Sequence, residues 1–290
     1  MRSQMLYVGT YTEKVGHVDG QGHGIYRLEF DANECTLTPL DVTEGPRNPS
    51  YLVFTPLAGR LYAVEECDLV KAPQIMGFAL GPNGELTRLN RQPAQGSSPC
   101  HVIVDPGEHW LFVAHYMGGN VAVYPPEADG CIGHVACTMQ HEGSGPNPAR
   151  QEGPHAHGCA LDQRGDYLFV ADLGLDRVMV YAFDSQNGQL SPREPGVTAP
   201  GAGPRHLVVH PSNRFVYVVN ELDATVSCLA HEEGTLTLRQ SVSTRPPSAE
   251  GTIQPAAIRM TRRGEYIFVS NRIDNDSIAF FGVDGDSGEL

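Results

Sequence analysis

Histidine, arginine and acidic side chains recur at two positions of a repeated pattern in this chain of 290 residues. One position is the start of a short apolar run, which supplies His101, His155, His157, Arg205 and His206. The other lies at the polar end of the aromatic-rich run that follows, which supplies Glu65, His115, Asp172, Glu221 and Arg272. Imidazole groups can transfer protons near neutral pH, and guanidinium groups can hold an anion or a developing oxyanion. These residue types indicate acid–base chemistry or the binding of an anion.

The pattern that carries these residues is a unit of about fifty residues in five copies. The copies begin at Pro49, Pro99, Ala156, Pro204 and Pro255, so successive starts lie 48 to 57 residues apart. A repeat of this length that is built only from strands is typical of the blades of a β-propeller. No segment sustains an apolar stripe with helical spacing, so we expect an all-β protein with little helix.

One copy shows the four antiparallel strands expected of a blade, at residues 206–210, 215–219, 225–229 and 235–239. Gly234 lies in the last turn, where a tight hairpin requires a positive φ. In antiparallel neighbours, the start of one strand and the end of the next lie at the same edge of the sheet. We therefore expect the histidine, arginine and acidic side chains of all blades to gather on one face, around the central channel.

The two ends of the chain carry incomplete copies of the unit. Residues 6–10 match the second strand of a first copy, and residues 25–30 match its third strand. Residues 277–281 match the third strand of a last copy, and the chain stops at Leu290, where a fourth strand should begin. Six units are therefore expected. Either the two ends join to close a ring of six blades, or a further unit is missing.

The charge of the chain excludes two classes of partner. The formal net charge is −14 and the isoelectric point is about 5.2. A protein that binds nucleic acid or an anionic membrane without specificity carries a basic surface instead, so we expect neither partner. An anionic substrate would have to be held by a local cluster of arginine and histidine.

The cysteines and the apolar runs indicate the compartment. Seven cysteines, an odd number, lack any C-x-x-C spacing, which favours a reducing environment. No apolar run is long enough for secretion or for a membrane helix. We expect one cytoplasmic β-propeller domain over residues 1–290, and we leave the formation of a homo-oligomer open.

Several motifs together resemble those of a known family. They are Leu-Tyr-Val-Gly-Thr-Tyr-Thr at residues 6–12, Pro-His-Ala-His at 154–157, Gly-Pro-Arg-His at 203–206, Val-Asn-Glu at 219–221 and Ser-Asn-Arg at 270–272. The chain resembles the lactonase family of seven-bladed β-propellers along essentially its whole length. That family includes bacterial 6-phosphogluconolactonases of the propeller type and the fungal 3-carboxy-cis,cis-muconate lactonizing enzyme. The resemblance implies four-stranded blades, with about one of seven blades absent beyond Leu290.

The resemblance also implies which residues form an active site. Its catalytic groups fall on His157, Arg205, Glu221 and Arg272, all of which lie on the face expected from strand direction. The residues of this face that we expect to contact substrate are His155, His206, Asp172, His101 and Asn271. His157 would activate water to open an anionic sugar lactone, and the arginines would hold its anionic groups.

We expect no cofactor, because lactone opening needs only proton transfer and oxyanion stabilisation. We also expect no metal, although His155 and His157 are one residue apart, because no third histidine is nearby.

Two other functions use the same sequence features. A cycloisomerase that acts on a carboxylated muconate could employ the same histidine and arginine residues. A propeller without catalytic activity could serve as a platform for other proteins, but it should then expose large apolar patches. The predicted outer loops, such as residues 92–98 and 140–146, are small and polar instead. We therefore rank the lactonase first, the cycloisomerase second and the platform third.

Overall fold

Turn residues between the apolar runs divide the chain into short strands, which pair mostly with their neighbours in sequence. The computed structural model describes residues 4–16 and 18–290. The first strands are β1 (Gln4–Gly9), β2 (Lys14–Val15), β3 (Val18–Asp19), β4 (Gly24–Asp31) and β5 (Thr36–Glu44). Strands β1, β4 and β5 form one antiparallel sheet, here called blade 1, and β2 and β3 form a separate short hairpin.

Five further sheets follow in chain order and are called blades 2 to 6. Blade 2 contains β6 (Leu52–Thr55), β7 (Arg60–Val64), β8 (Gln74–Leu80) and β9 (Leu86–Pro93). Blade 3 contains β10 (Pro99–Val104), β11 (Leu111–His115), β12 (Asn120–Tyr124) and β13 (Cys137–Gln140). Blade 4 contains β14 (Ala156–Leu161), β15 (Tyr167–Asp172), β16 (Arg177–Asp184) and β17 (Gln189–Val197). Blade 5 contains β18 (Pro204–Val209), β19 (Phe215–Asn220), β20 (Thr225–Glu232) and β21 (Thr235–Ser243). Blade 6 contains β22 (Ile253–Met260), β23 (Tyr266–Ile273) and β24 (Ser277–Gly282).

The predicted all-β class and the six units are confirmed. In the part of the chain that the structure describes, blade 1 lacks the first strand of the pattern and blade 6 lacks the fourth, whereas blades 2 to 5 have all four. Within residues 4–16 and 18–290, the one helical segment is a 3₁₀ turn at Leu69–Lys71. No helix among these residues has the length and apolar character needed to cross a membrane.

The chain forms two compact units. The first unit comprises the residues up to Met117 together with Ala122–Ala136. The second comprises Gly118–Val121 and Cys137–Leu290. The single domain over residues 1–290 therefore stays a prediction. All four residues that we expect to be catalytic lie in the second unit.

Two apolar layers hold the second unit together. One lies between blades 4 and 5 and includes Phe169 and Val218, and the other lies between blades 5 and 6 and includes Tyr217 and Ile267. Every residue of β19 is buried, because this strand packs on a neighbouring blade at each face. The burial of apolar side chains on both faces fixes the strand, and with it the polar residues at its end.

A β-bulge interrupts the first strand of blades 4 and 5 at the same place. Ala156 pairs with Asp172 and Gly158 with Ala171, so His157 is the extra residue of β14. In β18, Pro204 pairs with Asn220 and His206 with Val219, so Arg205 is the extra residue. A bulge releases one residue from the alternation of the strand and re-aims its side chain.

A glycine lets the two bulged strands approach each other. A Cβ atom on Gly158 would lie 2.6 Å from the carbonyl oxygen of Arg205 and 2.9 Å from Cδ2 of His206. Atoms cannot approach so closely without a shift of the backbone, so a larger residue would separate β14 from β18. The absence of a side chain at Gly158 thus keeps the bulge residues of neighbouring blades near one another.

Candidate active site

A buried carboxylate surrounded by three arginines is the centre of the candidate site. Oε1 of Glu221 accepts a hydrogen bond from Nη2 of Arg150 at 2.6 Å. Its Oε2 accepts one from Nε of Arg205 at 2.9 Å and another from Nη2 of Arg272 at 2.7 Å. We call these four residues the arginine cluster. Charge-assisted bonds of this length are among the strong hydrogen bonds of proteins.

Glu221 is held by the backbone as well as by its side chain. It follows the last residue of β19, and its N–H donates to the carbonyl oxygen of Gly203 at 2.7 Å. Only 3% of its side chain is exposed. Burial by itself would raise the pKa of this carboxyl group, but the ring of His157 (protonated at low pH), Arg205, Arg272 and the hydrogen bond from Arg150 outweigh that effect and lower the pKa of Glu221 to about 2. Glu221 is therefore ionised at neutral pH.

The arginine cluster carries more positive than negative charge. Three guanidinium groups remain protonated at any physiological pH, and one carboxylate faces them. This leaves a surplus of two positive charges in a protein whose formal net charge is −14. Because like charges repel in a partly buried site, the surplus favours the arrival of an anion.

Arg205 is the most fixed of the three arginines. Its side chain is 14% exposed, and Nη1 donates to the carbonyl oxygen of Ala256 at 2.8 Å in addition to the bond from Nε to Glu221. The same Nη1 lies 3.2 Å from each ring nitrogen of His206. The bulge of β18 directs Arg205 toward blade 6, where Ala256 belongs to β22.

The other two arginines reach solvent. The side chain of Arg150 is 33% exposed and that of Arg272 is 40% exposed. Arg150 was not among the predicted site residues, because it lies in the loop between β13 and β14 and not at a strand end. In the sequence, Arg150 is marked only as an arginine in a Gly- and Pro-rich segment of an acidic chain. This feature does not indicate that it lies near Glu221.

His157 provides an uncharged imidazole beside the arginine cluster. Its ring meets the ring of His206 edge to face, with centroids 5.4 Å apart. Desolvation lowers the pKa of His157 well below its ordinary value, and the positive charge of Arg205 lowers it further, whereas the negative charge of Glu221 opposes both effects. The ring is therefore neutral at physiological pH and has a lone pair that can accept a proton.

The predicted residues Asp172 and His155 serve the loops around the site. The carboxylate of Asp172 is buried and accepts hydrogen bonds from Nδ1 of His141 at 2.6 Å, from the N–H of His155 at 2.8 Å and from the N–H of Gly174 at 3.0 Å. The buried ring of His155 pairs with the carboxylate of Glu152, with Nε2 and Oε1 3.2 Å apart. These contacts are typical of residues that fix loops, and substrate contact by Asp172 and His155 stays a prediction.

The remaining predicted contacts differ in their surroundings. Asn271 is buried, and its Nδ2 donates to the carbonyl oxygen of Thr244 and to Oγ of Ser277; its contact with substrate stays a prediction. His206 lies directly against Arg205 and His157, and its contact with substrate stays a prediction. His101 belongs to the first compact unit, where its ring packs against Tyr51 with centroids 4.1 Å apart.

The donor set of the site suits an anion rather than a cation. The arginine cluster offers N–H donors, and the described part of the chain contains no group of three or more His, Cys, Asp or Glu residues placed to hold a metal ion. Guanidinium groups bind the oxygens of phosphate and carboxylate with two parallel hydrogen bonds. The geometry can therefore hold an anionic group and place a neutral imidazole near it.

The depressed pKa of Glu221 predicts how stability changes with pH. A carboxyl group whose pKa is lower in the folded state stabilises the protein above its ordinary pKa of 4.5, and this stabilisation is lost as the pH falls toward about 2. We expect Glu221→Gln to lower the free energy of unfolding by about 3 kcal/mol at neutral pH, and by progressively less below pH 4.5. Denaturant titrations at several pH values measure this difference. Glu194→Gln, at an exposed position of β17, is the control and should change stability little. A Glu221→Gln effect that does not depend on pH would contradict this assignment.

Known proteins resemble this chain in sequence along its whole length. Residues 5–290 match the family described as "Lactonase, 7-bladed beta-propeller". A protein of Bacillus subtilis (strain 168) named 6-phosphogluconolactonase is 35% identical over 293 residues, which cover 100% of this chain and 80% of that protein.

Solved structures agree with the sequence comparison. A putative 6-phosphogluconolactonase from Bacteroides uniformis superimposes with a TM-score of 0.89 at 30% identity, covering 99% of this chain and 81% of the other. A periplasmic gluconolactonase of Pseudomonas aeruginosa superimposes with a TM-score of 0.87 at 31% identity, with 99% and 81% covered. The family match extends over residues 5–290, and the four-stranded antiparallel sheets have the strand order of propeller blades. This chain belongs to the lactonase family of seven-bladed β-propellers.

Proposed function

We propose that this protein hydrolyses the lactone of a phosphorylated sugar acid, such as 6-phosphogluconolactone, to the open-chain acid. Membership in the lactonase family, together with a 35% identical relative named 6-phosphogluconolactonase, supports a lactone hydrolase. The choice of a phosphorylated substrate rests on one observation, the surplus of two positive charges in the arginine cluster. A phosphate monoester carries between one and two negative charges at neutral pH, which that surplus can neutralise. The name of the Bacillus subtilis relative supports the same substrate.

Exposure distinguishes the roles of the three arginines. Arg150 and Arg272 reach solvent, so they bind the phosphate of the incoming substrate. Arg205 is mostly buried and lies beside the neutral ring of His157, so it stabilises the negative charge that develops on the carbonyl oxygen. Glu221 orients all three guanidinium groups and does not need to contact the reacting atoms.

The neutral imidazole of His157 supplies the proton transfers of the reaction. A ring nitrogen accepts a proton from water while the water oxygen attacks the carbonyl carbon of the lactone. The bond between that carbon and the ring oxygen then breaks, and the departing oxygen takes the proton from the imidazolium. The products are a carboxylic acid and a hydroxyl group, so protons balance without a cofactor. Arg205 favours rapid return of the proton, because its charge destabilises the imidazolium.

The cysteines support a location in the cytoplasm. Cys35, Cys67, Cys131, Cys137 and Cys228 form no disulfide, and Cys67 and Cys228 are buried. Cysteines without disulfides are usual in reducing compartments and less so in oxidising ones. The Pseudomonas aeruginosa relative is described as periplasmic, so the location differs between the two proteins under this proposal.

Replacement of Arg150 tests the phosphate assignment. We expect Arg150→Ala to lower kcat/KM for 6-phosphogluconolactone about tenfold, since a charge-assisted hydrogen bond is lost. Hydrolysis of unphosphorylated gluconolactone should change by less than about threefold. The control is Arg239→Ala, on the exposed face of β21, which should leave both rates unchanged. Equal losses with both lactones would contradict a phosphate role for Arg150. Turnover of a carboxylated muconolactone in place of both lactones would favour the cycloisomerase alternative.

The pH profile of kcat/KM tests the role of His157. Because its pKa lies well below 6.5, we expect activity to stay constant as the pH falls to 6.5 and to decline only below that value. Desolvation is the main cause of the low pKa of His157, and Arg205→Gln removes the positive charge that lowers it further, so the acid limb of this variant should move to higher pH. Arg205→Lys keeps the charge and should leave the limb in place. Another group is the base if kcat/KM of the wild type already falls at or above pH 6.5. The same follows if kcat/KM of the two variants falls at the same pH.

A further inference from the structure

A second buried carboxylate, that of Asp176, connects the segments that carry two of the three arginines. Its Oδ1 accepts a hydrogen bond from Nε2 of Gln151 at 2.7 Å and another from the N–H of Gly203 at 2.9 Å. Its Oδ2 accepts a bond from the N–H of Gly201 at 2.6 Å. Gln151 is adjacent to Arg150 in sequence, and Gly203 lies two residues before Arg205. One side chain thus joins the β13–β14 loop to the segment that enters β18.

The same network reaches Glu221. The carbonyl oxygen of Gly203 accepts the hydrogen bond from the N–H of Glu221 at 2.7 Å, while the N–H of Gly203 donates to Asp176. Gly203 has a φ of +68°, which a residue with a side chain would adopt only under strain. The peptide groups of Gly203 therefore link Asp176 to both the carboxylate and the arginine of blade 5.

Gln151 is rigid enough to transmit a constraint from Asp176 to Arg150. It is fully buried, and Nε2 donates to the carbonyl oxygen of Leu173 at 2.8 Å as well as to Asp176. Its Oε1 accepts from the N–H of Asn147 at 3.0 Å. A side chain with all these bonds cannot move without breaking several of them, so the backbone at Arg150 is fixed relative to Asp176.

We propose that Asp176 is a positioning residue that sets the spacing of Arg150 and Arg205 around Glu221. The proposal rests on the proposed function, since it explains how the anion site of that reaction is held ready before the substrate binds. Three groups donate hydrogen bonds to the carboxylate of Asp176. One is the side chain of Gln151, which follows Arg150, and two are the N–H groups of Gly201 and Gly203, which precede Arg205. Arg272 lies on β23 and joins the arginine cluster through its own hydrogen bond to Glu221, apart from the segments that Asp176 holds. The network therefore acts on two of the three arginines.

The variant Asp176→Asn tests this role with little change of shape. Asp176 has a φ of +54°, a conformation that asparagine tolerates, so the backbone can be retained. Asparagine replaces one of the two acceptor oxygens with an NH₂ group. This group cannot accept a hydrogen bond from an N–H, so at least one of the three bonds is lost. We expect kcat/KM for 6-phosphogluconolactone to fall about 10- to 100-fold, because the shift of Arg150 raises KM and the shift of Arg205 lowers kcat.

Asp162→Asn is the matched control. Asp162 is also buried and accepts three hydrogen bonds, from the N–H of Asp166 at 2.7 Å, from the N–H of Tyr167 at 3.0 Å and from Nδ2 of Asn213 at 2.8 Å. It lies between β14 and β15, at the opposite edge of blade 4 from Asp176. We expect a comparable loss of thermal stability with less than about a threefold change in kcat/KM.

A double-mutant cycle separates positioning from a general loss of stability. In the Arg150→Ala background, Asp176→Asn should cost less activity than in the wild type, because one of its targets is already absent. If Asp176→Asn does not fold, Gln151→Met breaks the connection to Arg150 while it leaves both glycine bonds, and it should reproduce the Arg150→Ala loss. Additive effects, or an equal loss of kcat/KM in Asp162→Asn, would overturn the proposal. The proposed function fails separately, if wild type shows no preference for the phosphorylated lactone over gluconolactone.

Discussion

Burial of one carboxylate among three guanidinium groups is the constraint on which the site depends. Removing Glu221 from water costs free energy of desolvation. The hydrogen bonds from the three arginines offset this cost only if their lengths and angles are favourable. The arginines in turn repel one another and cannot gather without the carboxylate between them. The arrangement is therefore stable as a whole, and it leaves positive charge that an anionic substrate can neutralise. An acidic protein can in this way bind an anion at one place on its surface.

In the β-propeller, strand starts, a strand end and a loop each contribute side chains to the site. The bulges in β14 and β18 release His157 and Arg205 from the strand alternation, and Gly158 keeps these strands close. The end of β19 places Glu221 at the same edge as the start of β18, as antiparallel pairing requires. The loop before β14 adds Arg150. Each catalytic candidate thus depends on a buried strand or a hydrogen-bonded loop, which agrees with the precise geometry that catalysis needs.

The sequence predicted the framework of the site but not all of its members. Strand direction and the family motifs brought together His157, Arg205, Glu221 and Arg272, because the repeat determines which strand ends share an edge. Arg150 could not be found in this way, since a loop residue has no position in the repeat. The bulges were also invisible, because an extra residue leaves the apolar pattern almost unchanged. Asp172 and Asn271 occupy equivalent strand ends, and both form hydrogen bonds with backbone atoms of loops, which only the folded structure reveals.

The central claim is that the arginine cluster and His157 together hold the substrate of a lactone hydrolase. A crystal structure of the protein with 6-phosphogluconate, the product of the proposed reaction, tests this most directly. We predict that the phosphate oxygens lie within hydrogen-bonding distance of Arg150 and Arg272, and that the carboxylate lies between Arg205 and His157. Product bound at another place on the protein, with no contact to the three arginines, would contradict the account.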